Sequence, residues 1–209
     1  MTAIMITLLA AIVIYFTDKT FFWKHFAAED GFIEYGTMLF LFASALLLWV
    51  HALSLWGKGR RGAALLTLFY GLLFFMAAGE EVSWGQRIFG WESGEFFQES
   101  NKQNETNLHN LVVGNVHLAS TLFGSFLTTV LLLYLVVLPL CYGRVSFITR
   151  LADRFVVPVP GMRHAVLAVL SSLVIAPMDV YRNWEVYEFV FSLLAFSIFL
   201  LPQNREKVI

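Results

Sequence analysis

Ala63-Ala64-Leu65-Leu66-Thr67-Leu68-Phe69-Tyr70-Gly71-Leu72-Leu73-Phe74-Phe75-Met76-Ala77-Ala78-Gly79-Glu80-Glu81 decides the fold. The run from Ala63 to Ala78 carries no charge and is long enough to enter a bilayer, and two adjacent carboxylates follow it directly. Ionisable groups at mid-membrane cost about 2.5–3.5 kcal/mol each on insertion scales. A chain keeps such groups when they have partners or a task. The stretch continues as Val82-Ser83-Trp84-Gly85-Gln86-Arg87, so a basic residue follows within two helical turns.

The whole chain agrees with this start. Of its 209 residues 58% are hydrophobic and 14% charged, and mean hydropathy is +0.70. Soluble domains carry about 25% charged residues, so lipid must form part of this protein's solvent. A net charge of −1 excludes a basic nucleic-acid surface. One cysteine, Cys141, excludes an intramolecular disulfide framework and a multi-thiolate zinc site.

Six apolar spans are expected: Thr2–Phe16, Gly31–Trp56, Gly62–Gly79, Leu111–Tyr142, Met162–Met178 and Trp184–Leu201. In lipid every backbone polar group needs an internal partner, and these runs do not alternate in polarity as barrel strands do, so they are helices. Thr2–Phe16 lacks a basic leader and a good small-x-small cleavage site, and is read as an uncleaved first span. Turn residues separate the later runs, at 57–62 and 158–161. With no internal repeat or low-complexity tract, residues 1–209 form one all-α domain, a polytopic integral membrane bundle of about six helices.

Lysine and arginine set the orientation. Lys58, Arg60, Arg61, Arg144, Arg150, Arg154, Arg163, Arg205 and Lys207 fall on one side, and five basic residues on the other. The richer side is expected to be cytoplasmic, with both termini there, in a bacterial inner membrane. Of the acids only Asp153 and Glu206 share it. The connection from Glu80 to Asn107 alone carries six acids and two bases. The outer face is therefore acidic, which favours cations.

Polar groups gather at the outer ends of the spans. Read at helical spacing, His109, His117, Ser120 and Gly124 fall on one side of the fourth span and form a polar and small-residue stripe. Such a stripe faces other helices or a wet cavity. Glu185 and Glu188 lie one turn apart at the start of the sixth span, and Glu34 opens the second, with Thr37 and Ser44 toward the same face. Glu80, Glu81, His109, His117, Glu185, Glu188 and Glu34 are thus expected to converge on one pocket, with Arg87, Glu105 and Asn110 in support.

Three chemistries suit this set. Imidazole nitrogen and carboxylate oxygen from His109, His117, Glu81, Glu185 and Glu188 would hold a divalent metal such as zinc, iron or manganese. Metal-bound water becomes a nucleophile near neutral pH. Without a metal, Glu80 or Glu81 would act as general base on water, with His109 or His117 stabilising an oxyanion. A structural lock, pairing Glu81 with Arg87 or Glu185 with Arg182, would need no chemistry. There is no HExxH, no Gly-x-Ser-x-Gly elbow and no phosphate-cradling glycine loop. Ile88-Phe89-Gly90-Trp91 and Phe96-Phe97 form a short interfacial segment between the third and fourth spans.

The acid pair Glu80-Glu81, followed by histidines in a multi-span chain, resembles the glutamate intramembrane proteases of the CAAX-processing and bacteriocin-processing (Abi) type. Their motif is Glu-Glu-x-x-x-Arg with histidines on later helices. Here Gly85 stands at the arginine position and Arg87 is the nearest arginine; Val113 precedes His117 by four, where that family has phenylalanine. No asparagine follows His109 or His117 at the family's spacing; Val113 and Thr121 stand there. The resemblance implies a membrane-embedded hydrolase with Glu80 and Glu81 in its centre. Glu-Glu-x-Ser-Trp-Gly-Gln-Arg with Glu-Thr-Asn-Leu-His-Asn also resembles a group of bacterial multi-pass proteins, which brings no function with it. The expectation is a membrane hydrolase acting on a lipid or membrane peptide. The alternatives are a non-catalytic subunit or binding module of an envelope complex, with membrane-protein partners, and ion or proton handling.

Overall fold

The computed structural model describes residues 1–108, 110–113, 116–117 and 126–209. Its described elements are helical apart from one two-residue pairing. Three helices are long and apolar enough to cross a membrane: α3 (Phe32–Gly57), α4 (Arg61–Glu81) and α11 (Asn183–Leu200). Shorter apolar helices accompany them at Thr2–Thr17 (α1), Thr129–Cys141 and Met162–Ile175 (α10).

α1 stops where Asp18 turns extended, and the Asp18 side chain accepts from Phe21 N (2.9 Å) to start α2 (Lys19–Phe21). An aspartate at this position satisfies a backbone donor that a continuing helix would leave exposed. A π-helical turn, Phe22–Phe26, then leads out. α3 and α4 are joined by a tight turn through Lys58, Gly59 and Arg60, in which Gly59 takes a left-handed φ of 75°.

The expected fourth span is corrected at its start. Val112–Val113 (β1) and Val116–His117 (β2) pair as antiparallel strands, Val112 opposite His117. Three β-branched valines among these four residues favour extended backbone over helix. The helical alignment of His117 with its neighbours therefore does not hold there. Helix resumes as α7 (Leu127–Leu132), widens into a π-turn over Leu133–Val137, and closes as α8 (Leu138–Cys141). Pro139 lacks an N–H and its ring would clash with the carbonyl of Leu135, and the wider turn ahead of it relieves that clash. α9 (Ser146–Arg154) and the Val157–Gly161 connection precede α10.

α11 is the central helix. Val186, Val190, Leu194 and Ile198, four residues apart and fully buried, mark one face of it. Their neighbours are Ile4, Leu8 and Ala11 of α1, Ile33 and Leu48 of α3, and Ile175 of α10. α3 lies between α11 and α4, packing along both. Small residues set these crossings. A Cβ on Gly36 would come within 2.6 Å of the Phe189 ring, and one on Gly71 within 2.5 Å of the Trp49 ring.

The two ends of the bundle differ. At one, the connection 203–209 folds back. Val159 N donates to Asn204 Oδ1 (2.9 Å), Asn204 Nδ2 donates to the Val157 carbonyl (2.9 Å), and Lys58 Nζ reaches the Ile209 carbonyl (2.9 Å). α12 (Arg205–Val208) buries Val208 against Leu55, Ala64 and Val156. The other end holds the C-terminus of α4, the N-termini of α3 and α11, and the long connection with α5 (Gln86–Phe89) and α6 (Glu95–Ser100).

Candidate functional site: an acidic cavity at one end of the bundle

α4 runs two residues beyond its expected end, so Glu80 and Glu81 occupy its last turn. The chain then reverses through three consecutive left-handed residues, Ser83 (φ 47°), Trp84 (φ 56°) and Gly85 (φ 81°). Glycine takes that conformation freely, whereas the other two are strained. The Trp84 ring offsets the strain by lying on Gly79, where a Cβ would come within 2.8 Å of it, while its Nε1 donates to Glu80 (3.0 Å). The reversal brings Arg87 back over the start of α3.

Arg87 is the hub of an ion-pair cluster. It reaches Glu34 (2.5 Å), Glu29 (2.7 Å), Asp30 (3.1 Å) and Glu105 (3.5 Å). Burial alone would lower its pKa, but Glu34, then Glu105 and Asp30, outweigh this and hold it above the usual value. Glu34 is only 7% exposed and also accepts from the Asp30 backbone N–H. Glu29 uses its other oxygen to bind Arg182, which lies 4.0 Å from Glu185. In Arg182 too, the carboxylates prevail over burial and raise the pKa.

Behind Arg87 the long connection is tied by buried polar side chains. Ser83 Oγ donates to Glu105, and Asn107 Nδ2 donates to Ser83 Oγ (2.9 Å) and Glu105 (3.0 Å). Asn101 Nδ2 donates to the Asn107 side chain (2.8 Å), and Gln86 Oε1 accepts from Thr106 N (2.8 Å). Glu105 thus stands between Ser83, Asn107 and Arg87.

Glu29, Glu34, Ser83, Arg87, Glu105 and Arg182 line a half-open cavity of about 480 Å³. Glu81, Glu185 and Glu188 meet in it, with one oxygen of each within 4.8 Å of the others. Among the described residues no hydrogen bond or ion pair engages Glu81 or Glu188. Three carboxylates this close repel by about 3.5 kcal/mol per ionised pair at an effective dielectric of 20. A positive charge among them would relieve that repulsion, and so would a proton shared within the group.

Glu34, Glu81, Arg87, Glu105, Asn110, Glu185 and Glu188 of the expected set all line the one cavity. Glu80 is turned away from its wall, engaged by Trp84 and by Leu108 N (2.5 Å). Arg87 pairs with Glu34 and its neighbours rather than with Glu81, whereas the Arg182–Glu185 pair is present. His109, and the side chain of His117, lie outside the described residues, as do Ser120 and Gly124 of the expected stripe. Glu29, Arg182, Ser83, Asn101 and Asn107 are not among the expected site residues. Backbone strain marks the region in the structure: among the described residues six non-glycines have positive φ, and five of them, Asp30, Ser83, Trp84, Asn104 and Arg182, lie in the segments that build this cavity. Strained backbone gathers at functional sites because only an over-determined surrounding structure can hold it.

Compared with family models, curated proteins and solved structures, the chain matches none.

Proposed function

We propose that this chain is a six-span protein of a bacterial inner membrane whose outward-facing acidic cavity binds a divalent cation and hydrolyses a lipid or a membrane-inserted peptide there. One observation carries the reading: Glu81, Glu185 and Glu188, from two different helices, bring carboxylate oxygens within 4.8 Å of one another in a cavity large enough for a ligand. All three donors are hard oxygens, which suits manganese, magnesium or calcium better than a softer ion. A cation held there supplies a bound water of lowered pKa. The chain's own part is to hold the donors. Arg182 positions Glu185, and the Arg87 cluster fixes the connection that walls the cavity. The six-span topology is supported by the three long helices and the three shorter apolar ones between and beside them. The orientation is supported by the basic residues at the end opposite the acids.

Manganese titration of the detergent-purified protein, followed by calorimetry and by the electron-spin signal of free Mn²⁺, tests the cation. One Mn²⁺ per chain is expected, with affinity at least tenfold weaker in Glu188→Gln. Absence of binding at millimolar Mn²⁺, Mg²⁺ and Ca²⁺ would overturn the site. Turnover is tested on labelled phospholipids and membrane peptides. Glu81→Gln should abolish it while the protein still inserts and purifies.

A second reading, a non-catalytic module of an envelope complex, draws on Ile88, Phe89 and Phe96, which stand exposed on α5 and α6 beside the cavity. A metal-free chain co-purifying with a larger membrane assembly would favour it.

A further inference from the structure

At the end of the bundle away from the cavity, α9 carries an apolar stripe that the described protein does not cover. Phe147, Leu151 and Phe155, the last just past the helix, follow one another at a spacing of four, which places them along one side of it. All three are exposed. Ile148 and Ala152, each one residue further on, make the neighbouring side and turn inward. Asp153 lies away from the stripe and accepts from Tyr142 Oη (2.8 Å). That bond ties the side of the helix opposite the stripe to Tyr142. On the other border of the stripe Arg150 and Arg154, again four apart, are exposed as well. The one acid of the helix, Asp153, is held against Tyr142. The outward half of α9 is therefore an apolar row flanked by a basic one, with no exposed carboxylate between them.

We propose that α9 lies in the plane of the membrane at this end, with Phe147, Leu151 and Phe155 in the acyl boundary and Arg150 and Arg154 on the headgroups of anionic phospholipids. An in-plane helix needs an apolar face at the boundary and cations at headgroup height, and α9 offers both on adjoining sides. Charge complementarity selects the lipid: each arginine near an anionic surface favours binding about fivefold. Position agrees: Val156, just past α9, packs on Leu55 and Ala64, near the ends of α3 and α4 remote from the acids. The inference rests on the membrane-spanning reading and is independent of any cation in the cavity.

The full chain is reconstituted in nanodiscs of phosphatidylcholine mixed with phosphatidylglycerol, and the lipids it retains are read by native mass spectrometry. Several-fold enrichment of phosphatidylglycerol over the bulk is expected. Arg150→Gln with Arg154→Gln should remove most of it without changing insertion. In parallel, a nitroxide at Phe147→Cys, in a Cys141→Ser background, reports depth through relief by oxygen against a water-soluble relaxant. It should sit below the headgroups, while one at Ser146→Cys sits in water. Equal retention of both lipids, or a water-exposed label at 147 in an inserted chain, would overturn the proposal. Failure of the chain to insert at all would instead remove the membrane reading beneath it.

Discussion

Replacing Arg87 by glutamine removes the guanidinium that pairs with Glu34. The Glu34 side chain is 9% exposed and lies 2.5 Å from Arg87 Nη2. Charge centres about 4 Å apart at an effective dielectric of 20 attract by about 4 kcal/mol, and leaving one partner of a buried pair uncompensated costs about 3–5 kcal/mol. Asp30, Glu29 and Glu105 lose the same partner but are better solvated or otherwise bonded, so they add little. For a chain of this length 1 kcal/mol corresponds to about 2–4 °C. Arg87→Gln should therefore lower Tm in detergent by about 6–20 °C, followed by tryptophan fluorescence. Glu34→Gln in the same chain removes the stranded charge and should restore at least half of the loss. Arg87→Lys should fall between, because an ammonium cannot serve Glu34, Glu29 and Asp30 from one plane. A loss under about 1 kcal/mol, well below the cost of a broken buried pair, or a double variant no better than Arg87→Gln, would refute the assignment of Arg87 as the bond that holds the connection to α3.

At a Mn²⁺ concentration one hundred times Kd, binding should stabilise the protein by about 2.7 kcal/mol, and Glu188→Gln should lose about half of that thermal shift or more; an unchanged shift would place the ion elsewhere. Gly79→Val pushes a side chain into the Trp84 ring and should cost about 1–3 kcal/mol, with a changed Trp84 environment visible in near-ultraviolet circular dichroism. Gly71→Val meets both the Trp49 ring and the Ala45 carbonyl, and should loosen the α3–α4 pair by a similar amount in thermal unfolding. Asn204→Ala strands Val159 N and the Val157 carbonyl, costing about 1–3 kcal/mol, and should expose 203–209 to limited proteolysis while leaving Mn²⁺ binding intact.

The apolar runs are legible because lipid admits few backbone solutions, and five of the six expected segments have helices with ends within about three residues of those read from hydropathy. The gathering of Glu34, Glu81, Glu185 and Glu188 is legible for a related reason: each sits at the same end of a span, and helices of similar length bring equal depths together. Which acid each arginine takes is not legible. Glu81 is the nearer acid to Arg87 in sequence, yet the left-handed Ser83-Trp84-Gly85 reversal carries Arg87 to Glu34. Two non-glycine residues in that conformation leave no mark on hydropathy or propensity. The Ser83–Glu105–Asn107 bonds, spanning more than twenty residues, are equally silent. At Val112–Val113 and Val116–His117 the apolar signal is real but the helical period fails, since valine-rich segments satisfy helix and strand alike until β-branching is weighed.

Glu29 gives one oxygen to Arg87 and the other to Arg182, residues separated from it by 58 and 153 positions. Synthesis delivers these three groups in order, so a nascent chain carries Glu29 and the whole Arg87 cluster long before Arg182 leaves the ribosome. The final rim of the chamber waits for α11. Any truncated product ending before residue 182 would display Glu81 without Glu185 and Glu188 and leave Glu29 without its Arg182 bond, an incomplete vestibule.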